Sequence, residues 1–214
     1  MTPTGTQTQP LSVALKIGSS DEHAAAEDSP FVTELLAGRI NEQGYVDYLQ
    51  RLRTVYQTLE DAVRAHRDYP MVAAVYDPAL ERLPAIEADL HHWGAGAPGV
   101  DSAAAAAYRD RLTGASWGGA LLAHHYTRYL GDLSGGQAIG KILDRTFGLG
   151  GAGLAFYTFP MRPKPYKDAY RSRLDGLKLG ADEIQRVVDE ARVAFDLNRA
   201  VFSELGANLA SYRR

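Results

Sequence analysis

The chain has 214 residues, 45% hydrophobic and 23% charged, with a formal net charge of -3. That length suits one domain with a sizeable core, and the charge balance does not suggest a nucleic-acid binder. The absence of cysteine removes disulfides, cysteine-based zinc sites and thiolate ligation, and it fits a reducing compartment.

The N-terminus, MTPTGTQTQP, is polar and has neither a basic start nor an apolar core, so it does not read as a signal peptide. Met1 to about Gln9 reads as a disordered tail. No apolar run of about 18 residues occurs, so no transmembrane helix is expected. A first helix is expected from about Leu11 to Glu27, opened by Leu11, Val13, Ala14 and Leu15. His23 lies on it beside the small residues Ala24, Ala25 and Ala26, which leave room for a cofactor. A lone histidine is otherwise most often a surface or satisfied core residue. Lys16 stands seven residues earlier on nearly the same face, about 10 Å along the axis.

Ser29 and Pro30 open a short helix, with Ser29 as cap, that Gly38 terminates. Asn41 caps a long third helix whose Tyr45, Leu49, Leu52, Tyr56, Leu59 and Val63 form an apolar stripe, core by default. Tyr69 to Trp93 reads as a short helix, a turn at Asp77-Pro78 and a helix ending at Gly94. Asp89 and His92 have metal-like spacing, with His91 beside them. A di-iron bundle needs paired Glu-x-x-His motifs, and the chain has none. Gly94 to Gly99 reads as a loop and Asp101 to Leu112 as an alanine-rich helix.

Four glycines, Gly131, Gly135, Gly136 and Gly140, interrupt the helical pattern from His124 to Leu143. Each costs roughly 1 kcal/mol against alanine in a helix interior. Gly131 and Gly135 are four apart, as are Gly136 and Gly140. The spacing predicts a bare helical face on which something large and flat can press, with Asp132 beside it. Close helix–helix packing through small residues is the plain alternative. A phosphate site is another, because LSGGQ and GGQAIGKI approach nucleotide-binding signatures. That reading fails at Ile142, where Mg²⁺ needs a hydroxyl, and no strand precedes the segment.

Gly148 to Gly153 is a glycine-rich break. FYTFP, Phe156 to Pro160, is the one strand-like piece, too short and isolated to imply a sheet. The turn at Pro163 to Pro165 precedes a helix on which Lys167 and Arg171 sit four apart, on their own a solvated basic face. The last helix begins after Gly180 and runs to about Leu205. Its stripe includes Phe195, Asn198 and Phe202, and Asn198 is a buried amide in need of partners.

The uninterrupted run HHYTRYLGDLSGGQ, His124 to Gln137, resembles the distal-helix signature of the heme oxygenase family. The likeness covers roughly Leu11 to Leu205. It implies an all-α heme oxygenase-like fold of about eight helices and no sheet, one domain over residues 10–214, with haem between the first helix and the glycine-rich one. His23 corresponds to the axial histidine and Lys16 to a propionate-binding lysine. Ser20 falls where some members carry a second lysine. Lys167 and Arg171 become propionate anchors, and Tyr126 joins His23, Gly131 and Gly135 against the haem. Asp132 becomes the organiser of proton delivery, with Tyr56 and Asn198 in its network. Arg128, four residues before Asp132, reaches the same face.

The resemblance further implies haem b as substrate and cofactor, dioxygen as co-substrate, and biliverdin, carbon monoxide and ferrous iron as products. It also implies an external electron donor such as a ferredoxin, flavodoxin or NAD(P)H reductase. Membrane-bound members carry a hydrophobic C-terminal tail, whereas this sequence ends Tyr212-Arg213-Arg214, so a cytoplasmic enzyme without an anchor is expected. A non-catalytic haem carrier or sensor of the same fold is the alternative, and Asp132 argues against it. A thiaminase-like all-α enzyme typically uses a cysteine, which is absent.

Overall fold

A computed structural model describes residues 9–95 and 100–214. The expected N-terminal tail, up to residue 8, and most of the loop after Gly94 lie outside the described residues. Within them the chain is helical, without strands; an isolated bridge joins Ile40 and Arg213. None of these helices is long and apolar enough to cross a membrane.

The helices are α1 (Leu11–Gly18), α2 (Ser20–Glu27), α3 (Pro30–Leu36), α4 (Glu42–Ala65), α5 (Pro70–Ala73), α6 (Leu83–His92) and α7 (Ala103–Thr113), followed by α8 (Gly118–Gly131), α9 (Gln137–Phe147), α10 (Pro163–Gly176), α11 (Ala181–Ala207) and α12 (Leu209–Tyr212). There are more than the expected eight because several helices are broken at specific residues. The first is split at Ser19, whose backbone leaves the helical region at φ -117°, ψ 17° while its hydroxyl donates to the Leu15 carbonyl. Just before the break, a side chain on Gly18 would meet Val188 of α11 at 2.4 Å. Glycine there lets α1 lie close on α11.

The long α4 carries the predicted stripe: Tyr45, Leu49, Leu52, Tyr56, Leu59 and Val63 are all at most 3% exposed. Asn41 caps it, accepting from the Gly44 amide at 2.9 Å. Ser29 does not cap α3. Its hydroxyl is buried without a partner, and the helix starts instead on the preset geometry of Pro30. Gly38 ends that helix in the left-handed region, φ +69°. FYTFP is not extended; Ala155–Tyr157 is a 3₁₀ turn. Buried Asp89 holds that turn by accepting from the Ala155 and Phe156 amides at 2.7 and 2.8 Å, so Asp89 is structural. No metal-binding cluster occurs among the described residues.

The core is set where α11 packs against α8, α1 and α2, and where α4 packs against α6 and α7. α2 differs from its neighbours. Its sequence SDEHAAAE has no apolar stripe, and Ala26 is its one buried residue. Such a helix brings little apolar surface to that contact. It borders a cavity.

Candidate functional site

That cavity, of about 530 Å³, lies between α2 on one side and the end of α8 on the other, and α3, α10 and α11 close its edges. Its volume falls in the range of small-molecule and cofactor clefts. On the α2 side His23 is half exposed, its ring edge-on to Phe195 with centroids 5.3 Å apart. His23 Nε2 lies 3.6 Å from the Glu27 carboxylate one turn later. Lys16, Ser19 and Ser20 continue this wall.

The opposite wall is the glycine segment, and it is not a continuous α-helix. After Gly131 the chain makes one wide π turn, Asp132–Gly136, before α9 resumes. Such turns shift the register of every following side chain. The glycines are therefore divided, in contrast to the single bare face expected. A Cβ on Gly131 or Gly135 would meet nothing within 4 Å, so these two open onto the cavity. Gly140 instead packs on Tyr157, where a Cβ would stand 2.9 Å from that residue's own Cβ, and Gly136 also faces Tyr157, at 3.6 Å. One pair bares a wall; the other lets the 3₁₀ turn press against α9.

Asp132 sits behind the bare wall, 6% exposed, and is held by a buried polar network. It accepts a short hydrogen bond from the Tyr56 hydroxyl, and Arg128 Nη2 lies 3.6 Å away. Arg128 Nε and Nη2 donate to the same Tyr56 oxygen at 3.1 and 3.0 Å. Its Nη1 donates to Asn198 Oδ1 at 2.8 Å, so a guanidinium partners the buried amide. Burial pushes the Asp132 carboxyl up; Arg128, Tyr56 and Arg82 pull it down, and the net is above its ordinary value. Burial also raises Tyr56 far enough that its phenol stays a donor.

Of the residues expected in the site, Lys16, His23, Tyr126, Arg128 and Gly131 line the cavity, together with Asp132, Gly135, Arg171 and Asn198. Tyr56 stands behind Asp132, fully buried. Lys167 does not reach the cavity wall: its Nζ donates to Ser134 Oγ at 2.7 Å, and Ser134 is the wall residue there. Burial, and after it the neighbouring Arg171, depress the Lys167 ammonium against a smaller opposing pull from Asp168. His124 and His125, the other histidines near the signature, are at most 2% exposed and hydrogen-bonded, to Tyr108 and Glu190 and to Tyr170 respectively. Neither reaches the cavity wall.

Sequence reasoning passed over Thr127, Tyr48 and Tyr157, which also line the cleft. Thr127 carries a buried hydroxyl without a partner. Tyr48 falls off the α4 stripe by one position, the one signal that it faces elsewhere.

A family model described as Heme oxygenase matches residues 9–204. Heme oxygenase 1 of Synechocystis sp. (strain ATCC 27184 / PCC 6803 / Kazusa) is 35% identical over 206 residues, covering 93% of this chain and 86% of the relative. Heme oxygenase 1 of Rattus norvegicus is 36% identical over 211 residues, covering 94% and 73%. Among solved structures, heme oxygenase-2 from Synechocystis sp. PCC 6803 in complex with heme and NO superposes with a TM-score of 0.89 at 34% identity, covering 95% of this chain and 88% of that one. The heme oxygenase of Leptospira interrogans gives 0.85 at 32%, covering 92% and 100%.

Proposed function

The chain belongs to the heme oxygenase family, and we propose that its cleft seats haem between His23 and the bare wall of Gly131 and Gly135. The enzyme cleaves haem, its substrate and cofactor, to biliverdin, carbon monoxide and ferrous iron with dioxygen. The bound haem supplies the iron that activates dioxygen and the ring that is opened. The observation that carries the assignment of the site is the pair of open glycines. They leave a stretch of wall without side chains in the cleft that an accessible imidazole also lines.

His23 would hold the haem iron through its imidazole, and the Glu27 carboxylate 3.6 Å from its Nε2 is the nearest acidic group to that ring. Lys16, Lys167 and Arg171 hold the propionates. Arg171 does so from the cleft wall and Lys167 by turning from Ser134. Asp132 holds and passes the protons that the reaction consumes. Burial raises its pKa above the ordinary carboxyl value, which favours a carboxyl that can hold a proton. Tyr56 and Arg128 fix its orientation, and Asn198 fixes Arg128. The bare backbone at Gly131 and Gly135 would lie against the bound haem, and Tyr126 would line its edge.

Electrons come from an external donor such as a ferredoxin, flavodoxin or NAD(P)H reductase, and the enzyme works in the cytoplasm as one domain over residues 10–214. The test is hemin with a reductant in air. Biliverdin absorbance with carbon monoxide release is expected; a stable haem spectrum without either product would leave only a carrier.

A further inference from the structure

α10 carries Lys167 and Arg171, and a residue pair that the mechanism does not use ties it to α8. His125 Nδ1 lies 2.9 Å from the Tyr170 hydroxyl, and the two rings stack at 10° with centroids 5.8 Å apart. Both residues are buried, and their side chains share the one hydrogen bond between those of α8 and α10 among the described residues. Burial, with Arg173 nearby, holds His125 down at about 3 against the opposing pull of Asp77. The imidazole therefore stays neutral, and burial keeps the proton on Tyr170.

The level of this bond along both helices matters. His125 immediately precedes Tyr126 and Tyr170 immediately precedes Arg171, and both followers line the cleft. The other ties of α10 lie elsewhere. Asp175 accepts from Ser12 near the helix end, Arg173 reaches the Ala74 carbonyl, Tyr166 reaches Asp77, and Lys167 meets Ser134 at the surface. The bond nearest Arg171 is thus a short, dry one between two stacked rings. A ring pair of this kind has few rotamers and fixes the height of the adjacent residue more tightly than a long flexible side chain can.

We propose that His125 and Tyr170 are positioning residues. They fix Arg171, and with it Lys167, against the cleft, and so set how haem is rotated in its plane and which meso carbon is cleaved. The proposal rests on the haem reading above. Small displacements at a positioning group are enough to change an outcome of this kind.

Tyr170→Phe keeps the ring and removes only the hydroxyl, and His125→Phe keeps the ring volume. Both proteins are purified and loaded with hemin. The haem methyl resonances of the ferric cyanide complex and the ratio of biliverdin isomers are then compared with wild type. Altered methyl shifts and an altered isomer ratio are expected in Tyr170→Phe with haem still bound, the same change in His125→Phe, and no further change in the double variant. A wild-type methyl pattern and isomer ratio in Tyr170→Phe, with only a lower melting temperature, would overturn the proposal and leave the pair as packing. Failure of the wild-type protein to bind hemin would instead remove the haem reading, and this inference with it.

Discussion

Tyr56 and Asp132 lie 76 positions apart in the chain and share a buried hydrogen bond, the phenol donating to the carboxylate. Arg128 holds that phenol oxygen from the other side. The arrangement leaves Asp132 oriented toward the cleft wall with its proton affinity raised by burial. Replacing Asp132 with Asn or Leu is expected to leave haem affinity within about threefold of wild type. Biliverdin formation should fall by on the order of 100-fold, the scale of a lost general acid, with Asn retaining more than Leu. Equal rates of biliverdin formation in wild type and the Leu variant would remove Asp132 from proton delivery.

The divided glycines give a second test, because the two pairs respond in opposite ways. At Gly131 and Gly135 a methyl group meets open space, so alanine should leave the haem-free protein as stable or up to about 1 kcal/mol more stable by helix propensity. It should weaken haem binding, since the methyl enters the cleft. Gly140→Ala should do the reverse and cost the haem-free protein about 1–3 kcal/mol, because its methyl would overlap Tyr157. Chemical denaturation and hemin titration of the three variants separate these effects. A destabilised Gly135→Ala with normal haem affinity would contradict the geometry.

This division also marks where the sequence stopped being legible. Within the cluster around Asp132, Arg128 could be anticipated from its four-residue spacing, and Tyr56 and Asn198 from what the family resemblance implies. The glycine spacing likewise announced a bared face. It did not announce the π turn, because a wider backbone turn leaves no mark on side-chain periodicity and silently rotates everything after Gly136. Tyr157 was hidden for a related reason: FYTFP has strand-like residues, and tertiary contact with Gly140 and Asp89 overrides that propensity. The close approach of α11 to Gly18, beside the break at Ser19, joins residues far apart in the chain.

His23 is half exposed and, apart from Glu27 and the edge of Phe195, makes few contacts. His23→Ala should therefore leave the melting temperature of the haem-free protein unchanged. The same substitution should alter the ferric haem spectrum and abolish turnover, and added imidazole should restore both. An unchanged spectrum with full activity would reassign the ligand, although His124 and His125 are buried and bonded elsewhere.

Glu190 links α11 to α8 and α7. Burial raises its carboxyl, but hydrogen bonds from His124 and Arg111, with their charges, outweigh burial and hold it at about 2. Its folded pKa lies below the unfolded value near 4.5, so its contribution to stability is present above that pH and is lost as pH falls toward 2. The contribution is at most about 3 kcal/mol, less after screening through the half-exposed Arg111. Glu190→Gln should be destabilised at pH 7, with the gap to wild type narrowing below about pH 4.5. Urea melts at pH 7, 5 and 3.5 measure this, and a gap independent of pH would show that the carboxylate charge contributes nothing.

The two cations of α10 should prove unequal. Arg171 already lines the cleft, its Nη1 3.1 Å from the exposed Asp168, whereas Lys167 is committed to Ser134 and must exchange that bond to reach a propionate. A charge-assisted bond to a carboxylate contributes about 1.5–3 kcal/mol, which corresponds to roughly 10- to 100-fold in Kd. Arg171→Met should weaken hemin binding by an amount in that range. Lys167→Met should cost less than about tenfold, because the loss of the propionate bond is partly offset by the bond to Ser134 no longer given up. Ser134→Ala, by releasing Lys167, should leave binding unchanged or strengthen it slightly. Hemin titrations of the three variants order them, and a larger loss in Lys167→Met than in Arg171→Met would show that Lys167 is the principal anchor.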